Sequence, residues 1–163
     1  MTPRVLASTT SHKKEPLLPT LDVFARLGLG DVDLNLHHLL EGDVPVDEVA
    51  AAIAAHGQHV WVASGGWCDF FHVEPAIDDT WRSVERQVDI ARRLGVGMLR
   101  LFFGRLNETA YGPAALDTVG RHLQQLSGRY PDMTFVLENH DGASSVPAIC
   151  RAVLQRWIAR TSG

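Results

Sequence analysis

The chain has 163 residues, 45% of them hydrophobic and 21% charged, which is typical of a globular domain that can bury one core. Its formal net charge of −4 gives no basic excess that would favour nucleic acid or an anionic membrane as a partner. Cys68 and Cys150 lie far apart, no apolar leader follows Met1, and no apolar run approaches membrane-spanning length. These features predict a cytoplasmic protein without disulfides, membrane association or nucleic-acid binding.

Five short apolar segments predict β-strands at 4–8, 32–37, 59–63, 98–103 and 133–138. Consecutive strands are about one βα unit apart. Between them, apolar residues recur with helical period over 46–56, 80–94 and 116–126. Pro147 is placed in the first turn of a last helix, with Ser144 or Ser145 as its cap, and Gly57, Gly95 and Gly128 mark predicted helix ends.

Strands that are joined through helices run parallel, which leaves an open doubly wound sheet or a closed (β/α) barrel. In the segments "VDLNLHH" and "MLRLFFG" one strand face is apolar and the other carries polar groups. A doubly wound sheet buries both faces under helices, whereas a barrel tolerates a polar inner face. The alternation therefore favours the barrel, and we expect Asp33 and Arg100 to form an ion pair on its polar face.

The segments "DVDLNLHHL", "ARRLGVGMLRLFFG" and above all "FVLENH" resemble the xylose isomerase-like TIM barrels, also grouped as sugar phosphate isomerases/epimerases. The resemblance implies a (β/α) barrel of this type, truncated to about five parallel βα units. Residues 1–163 would form a single partial domain. It also implies metal-dependent isomerisation or epimerisation of a small sugar or hydroxy-carbonyl compound.

Barrels of this family bind a divalent cation, here expected to be Mn²⁺ or Mg²⁺, at the C-terminal mouth through ligands from strands five to eight. The resemblance implies that Glu138 is the strand-five metal ligand and a catalytic carboxylate, and that His140 acts beside it on the substrate. Strands six to eight, with the other three ligands, have no counterpart in this sequence. We therefore expect little activity from this chain by itself.

Further candidate substrate contacts lie at strand ends and in loops. His37 is predicted to end the second strand on its polar face, as a substrate contact or as a hydrogen-bonded histidine of the lumen. The loop 64–75 offers aromatic groups for the apolar side of a sugar ring, although such residues can equally cap a barrel or contact another subunit. The predicted substrate-binding set is His37, Trp67, Phe71, His72 and Arg105.

Five units would leave strands one and five with unpaired edges, which invite pairing with another chain. The chain is then a fragment of a longer protein, an open curved sheet that forms homo-oligomers through its edges, or a flattened α/β sheet. Two other functions stay open beside the isomerase. One is an endonuclease IV-like phosphodiesterase, which the charge disfavours, and the other is a non-catalytic oligomerising module.

Overall fold

The computed structural model describes residues 4–66, 68, 70, 76–102, 112–140 and 142–158. Strands and helices alternate along the chain, and two short 3₁₀ helices follow β1 and β5 (Thr9–His12 and Gly142–Ser145). The strands are β1 (Ala7–Ser8), β2 (Asp31–Asn35), β3 (His59–Ser64), β4 (Met98–Phe102) and β5 (Thr134–Glu138). The helices are α1 (Leu17–Arg26), α2 (His37–Glu41), α3 (Val46–Ala55), α4 (Ala76–Arg93), α5 (Pro113–Arg129) and α6 (Pro147–Ile158).

The five strands form one parallel sheet in the order β1-β2-β3-β4-β5, as the sequence predicts. In this register Ser8 lies opposite Asp33, and Asn35 lies opposite Ser64. An irregularity between Val32 and Asp33 shifts the pairing of β2 with β3 by one residue. Strand order follows chain order because each helical connection leads to the adjacent position in the sheet.

The chain divides into two compact units, Met1–Gly66 with Arg86–Arg100, and Trp67–Glu85 with Leu101–Gly163. In the first unit Val32 and Leu34 of β2 have no exposed surface, as expected for residues that pack under helices. Asp31, Asp33 and Asn35, which alternate with them, are only half-buried. The predicted division of β2 into an apolar and a polar face is confirmed.

The second unit is built around the pairing of α5 with α6. Gly120 lets the two helices approach closely, because a Cβ atom there would lie 2.5 Å from the Cβ of Arg156. The indole Nε1–H of Trp157 donates to Ser127 Oγ at 2.9 Å. Val119, Leu123 and Val153 are fully buried.

Several predicted boundaries are wrong. The first strand is paired only over Ala7–Ser8, and the second ends at Asn35 because the Asn35 Oδ1 accepts the backbone N–H of His37 at 2.9 Å. His37 therefore begins α2 and does not share the strand face with Asp33.

Gly57 and Gly95 lie just past the ends of α3 and α4, as predicted, and both glycines have a positive φ. Gly128 was also predicted to end a helix, but it lies inside α5. Helix α1 was not predicted, although its buried residues Leu17, Leu21 and Phe24 have helical spacing. No helix within the described ranges is long and apolar enough to cross a membrane.

Candidate functional site

A polar cluster in the first unit is centred on the carboxylate of Asp33. Ser8 Oγ–H donates to Asp33 Oδ2 at 3.0 Å, and Ser64 Oγ–H donates to Asp33 Oδ1. The guanidinium Nη2 of Arg100 lies 3.7 Å from Asp33 Oδ2, and the side chains of Asp33 and Arg100 are 14% and 24% exposed. The predicted ion pair of Asp33 with Arg100 is confirmed.

The register of the sheet assembles this cluster. Strands β1 and β3 both end in Ala-Ser, and they flank β2 on its two sides. Ser8 and Ser64 therefore reach the same carboxylate from opposite directions. A buried carboxylate needs such donors because it is costly to remove from water unpaired. Sequence reasoning missed both serines, although the repeated Ala-Ser at alternate strand ends was a usable signal.

Hydroxyl and amide groups continue beyond this cluster at the carboxyl ends of β1 and β2. Thr9 Oγ1 accepts the backbone N–H of Asn35 at 2.8 Å. The side-chain amide of Asn35 donates to Thr10 Oγ1 at 3.2 Å, so these groups are held in fixed positions. Groups of this kind can bind the hydroxyls of a sugar-like compound.

The two histidines that follow β2 have different environments. His37 is exposed at the start of α2, and its predicted role in substrate binding stays a prediction. His38 is 8% exposed, and its Nδ1 lies 3.0 Å from Asp43 Oδ2. An ionised carboxylate only accepts hydrogen bonds, so Nδ1 carries the proton of that contact. His38 is therefore held structurally by Asp43.

In the second unit, Glu138 is the last residue of β5 and is half-buried, whereas Asn139 and His140 beyond it are exposed. The ring of His140 packs edge-on against Phe102, with the centroids 5.7 Å apart. The backbone carbonyl of His140 accepts the Ser144 hydroxyl at 3.0 Å. These contacts hold His140 two residues past the strand end, in the same unit as Glu138.

A divalent cation was implied at Glu138 by the resemblance. No group of three or more His, Cys, Asp or Glu side chains in the described part of the chain is placed to hold a metal ion. The described residues therefore do not fit such a cation by themselves. Glu138 can supply one carboxylate ligand, and its metal-binding role stays a prediction.

Trp67, Phe71, His72 and Arg105 lie outside the described residues, so their predicted roles stay predictions. The backbone just before Trp67 is held in place by hydrogen bonds of Gly65 and Gly66. Gly65 N–H donates to the Arg100 carbonyl at 2.8 Å, and Gly66 N–H donates to Gln87 Oε1 at 3.0 Å. Gln87 is fully buried in α4, and sequence reasoning missed it although it is polar beside the apolar stripe of that helix.

A comparison with known protein families gives no match for this sequence, and neither does a comparison with curated proteins. Solved structures do match. One is named "probable 3-DHS dehydratase AsbF involved in the petrobactin synthesis" from Bacillus anthracis. It has a TM-score of 0.72 and 11% identity, over 95% of this chain and 59% of that chain.

Two more structures have the same fold. An "AP endonuclease, family 2" from Brucella melitensis has a TM-score of 0.72 and 16% identity, over 93% of this chain and 65% of that chain. The "3-keto-D-glucoside 4-epimerase, YcjR" from E. coli has a TM-score of 0.63 and 18% identity, over 87% and 60%. This chain spans about three fifths of the length of these structures.

Proposed function

We propose, from the xylose isomerase-like TIM-barrel fold that these structures share with the chain, that the protein is of the sugar isomerase/epimerase type. Its substrate would be a small polyhydroxylated carbonyl compound. The observation that carries the proposal is Glu138, a half-buried carboxylate at the carboxyl end of a barrel-type strand. Catalytic groups of such barrels gather at the carboxyl ends of their strands.

In the proposed reaction the Glu138 carboxylate removes the proton from the carbon next to the substrate carbonyl. The electron pair of that C–H bond moves toward the carbonyl oxygen and gives an enediolate. In isomerisation the proton returns to the former carbonyl carbon, while the hydroxyl proton of the neighbouring carbon moves to the former carbonyl oxygen and a new carbonyl forms there. In epimerisation the carbonyl re-forms while solvent delivers a proton to the opposite face of the carbon that lost one, and Glu138 releases the proton that it took to solvent. His140, held by Phe102 and Ser144, would donate a hydrogen bond to a substrate oxygen.

We propose Mn²⁺ or Mg²⁺ as the cofactor of this reaction, and Glu138 would supply one carboxylate ligand to it. The described residues do not form a complete site for such a cation. The Asp33 carboxylate is already occupied by Ser8, Ser64 and Arg100. We assign Asp33 a structural role.

Deuterium uptake tests the proposal. Methyl 3-keto-D-glucoside and D-fructose are incubated with the protein in D₂O, with and without Mn²⁺, and deuterium next to the carbonyl is measured by mass spectrometry. We expect slow uptake above the buffer rate, reduced at least about tenfold by Glu138→Gln because the amide cannot accept the proton. Glu48→Gln, an exposed substitution on α3, is the control. Equal rates for Glu138→Gln and the unchanged chain would contradict the role of Glu138.

The match to the Brucella melitensis structure keeps a phosphodiesterase as the second candidate. An enzyme of that kind needs cationic groups along the DNA backbone, and this chain has a net charge of −4. Fluorescence anisotropy with a duplex that carries an abasic site separates the two candidates. Binding that weakens steeply with salt would favour the phosphodiesterase over the isomerase.

A further inference from the structure

A cavity in the first unit is formed by the first turn of α1, by α2 and by the segment that leads from α2 into α3. Its volume is about 410 Å³, which is in the size range of small-molecule sites. Its lining includes Pro16, Leu17 and Leu18 from α1 and the residue before it, and His38, Asp43 and Val44 from α2 and the segment after it. None of these residues takes part in the proposed isomerase reaction.

The first turn of α1 has two backbone donors without a partner. Its N-cap residue Pro16 makes no side-chain hydrogen bond to the helix. The N–H groups of Leu17 and Leu18 make no hydrogen bond to the described part of the chain, although Leu17 is only 3% exposed. Such helix ends are completed by water or by a ligand, and the helix dipole favours an anionic group there.

His38 adds an acceptor without a partner to the lining of the same cavity. The residue is 8% exposed, and its Nδ1–H donates to Asp43 Oδ2 at 3.0 Å. A neutral imidazole with the proton on Nδ1 only accepts at Nε2, and this nitrogen is buried without a hydrogen-bond partner. A buried acceptor without a donor is costly, so a donor group of a ligand would stabilise it.

Charged side chains of both signs line the cavity. Within the described part of the chain, Lys14 forms no ion pair, and Asp43 Oδ1 makes no hydrogen bond. Carboxylates outnumber the single lysine among the lining residues, which disfavours a simple anion. A ligand with a carboxylate and an ammonium group complements both signs of charge.

We propose that this cavity binds a free α-amino acid with an apolar side chain. The ligand carboxylate accepts the N–H groups of Leu17 and Leu18 and is neutralised by Lys14. The ligand ammonium donates to His38 Nε2 and to Asp43 Oδ1. The apolar side chain of the ligand packs against the aliphatic residues of the lining. The proposal goes beyond the isomerase reaction, whose sugar-like substrate has no ammonium group.

Isothermal titration calorimetry of the full chain with L-leucine, L-valine and L-phenylalanine measures the binding. We expect a dissociation constant below about 1 mM for at least one of them. The amino acid that binds best is then compared with the acid that lacks its ammonium group and the amine that lacks its carboxylate. For leucine these are 4-methylpentanoate and 3-methylbutylamine. Each should bind at least about tenfold more weakly than the amino acid, because it keeps one of the two charged contacts.

Two substitutions separate the two ends of the ligand. Lys14→Gln should weaken binding of the amino acid and of the acid, but not of the amine. Asp43→Asn should weaken binding of the amino acid and of the amine, but not of the acid, and its amide oxygen still accepts the His38 N–H. Lys13→Gln and Glu41→Gln remove the same charges at exposed positions outside the lining and are the matched controls. Circular dichroism confirms that each variant is folded.

Nitrogen-15 NMR of the imidazoles reports on the contact with His38. The Nε2 resonance of His38 should move when the amino acid is added, because its lone pair then accepts a hydrogen bond. It should stay in place when the matching acid is added.

Three results would overturn the proposal. One is the absence of binding by all three amino acids up to about 10 mM. Another is equal affinity for the amino acid and for the matching acid or amine, which would leave one of the two charged contacts without a role. The third is an Nε2 resonance that does not move at saturation. None of these results depends on the isomerase proposal, because the experiments use neither a sugar nor a metal.

Discussion

Asp33 combines a charge pair that was predicted from the sequence with two hydroxyl contacts that were not predicted. Its carboxylate has two hydroxyl donors and a guanidinium partner, and little of it remains exposed. Removing the charge of Asp33 should lower the free energy of unfolding, because the Ser8 and Ser64 hydroxyls and the Arg100 guanidinium would stay largely buried without their charged partner. The cluster therefore contributes to stability whether or not it contacts a substrate.

Asp33→Asn should lower the free energy of unfolding by about 1–3 kcal/mol, because the amide keeps the shape but removes the charge opposite Arg100. Urea unfolding measures it. Asp47→Asn is the control, since Asp47 forms an exposed ion pair with Arg93 at 2.7 Å and should cost less than about 1 kcal/mol. In a double-mutant cycle, additive effects of Asp33→Asn and Arg100→Met would show that the two side chains are not coupled.

Cys150 should react slowly with alkylating reagents. Burial raises the pKa of its thiol, and Sγ–H donates to the Ser144 carbonyl at 3.1 Å, so less of the reactive thiolate is present near pH 8. Because the pKa of the Cys150 thiol is raised in the folded state, the thiol's contribution to the stability of the fold is present below its unfolded-state pKa. That contribution is lost as the pH rises through its folded-state pKa. Iodoacetamide labelling followed by peptide mass spectrometry should be slower in the folded than in the urea-unfolded chain. Equal rates would contradict it.

At the scale of the elements, the contact of α5 with α6 shows how a small residue sets a helix spacing. Gly120 is buried against Arg156, and the same arginine pairs with Asp117 at 2.5 Å. Gln124 donates to the Arg156 carbonyl at 2.5 Å. A side chain at position 120 would push apart the two helices that these bonds hold together.

Two glycines of α5 should respond oppositely to alanine. Gly120→Ala should lower the free energy of unfolding by about 1–3 kcal/mol, because its Cβ would overlap that of Arg156. Gly128→Ala should raise it by about 0.5–1 kcal/mol, because this exposed helical position has open space and alanine is the better helix former. Thermal or urea unfolding gives both values, and effects of equal sign would contradict the spacing argument.

At the scale of the whole molecule, much of the fold could be predicted because it depends on local periodicity. The alternation of Leu34 with Asp33 and Asn35 identified a strand with one polar face, and the helical spacing in α4 identified its apolar stripe. Strand ends were less predictable. The end of β2 depends on the side chain of Asn35, which captures the N–H of His37 and starts a helix in a run that also fits a strand.

The sequence by itself determined the five parallel βα units, the two faces of β2 and the pairing of Asp33 with Arg100, because these follow from residue spacing and from the cost of burying charge. Only the tertiary structure decided that Ser8 and Ser64 meet at one carboxylate, that Gln87 holds Gly66, and that Gly120 admits Arg156. Those contacts join residues far apart in the chain, and their partners are set by strand register and helix packing, which local patterns do not encode.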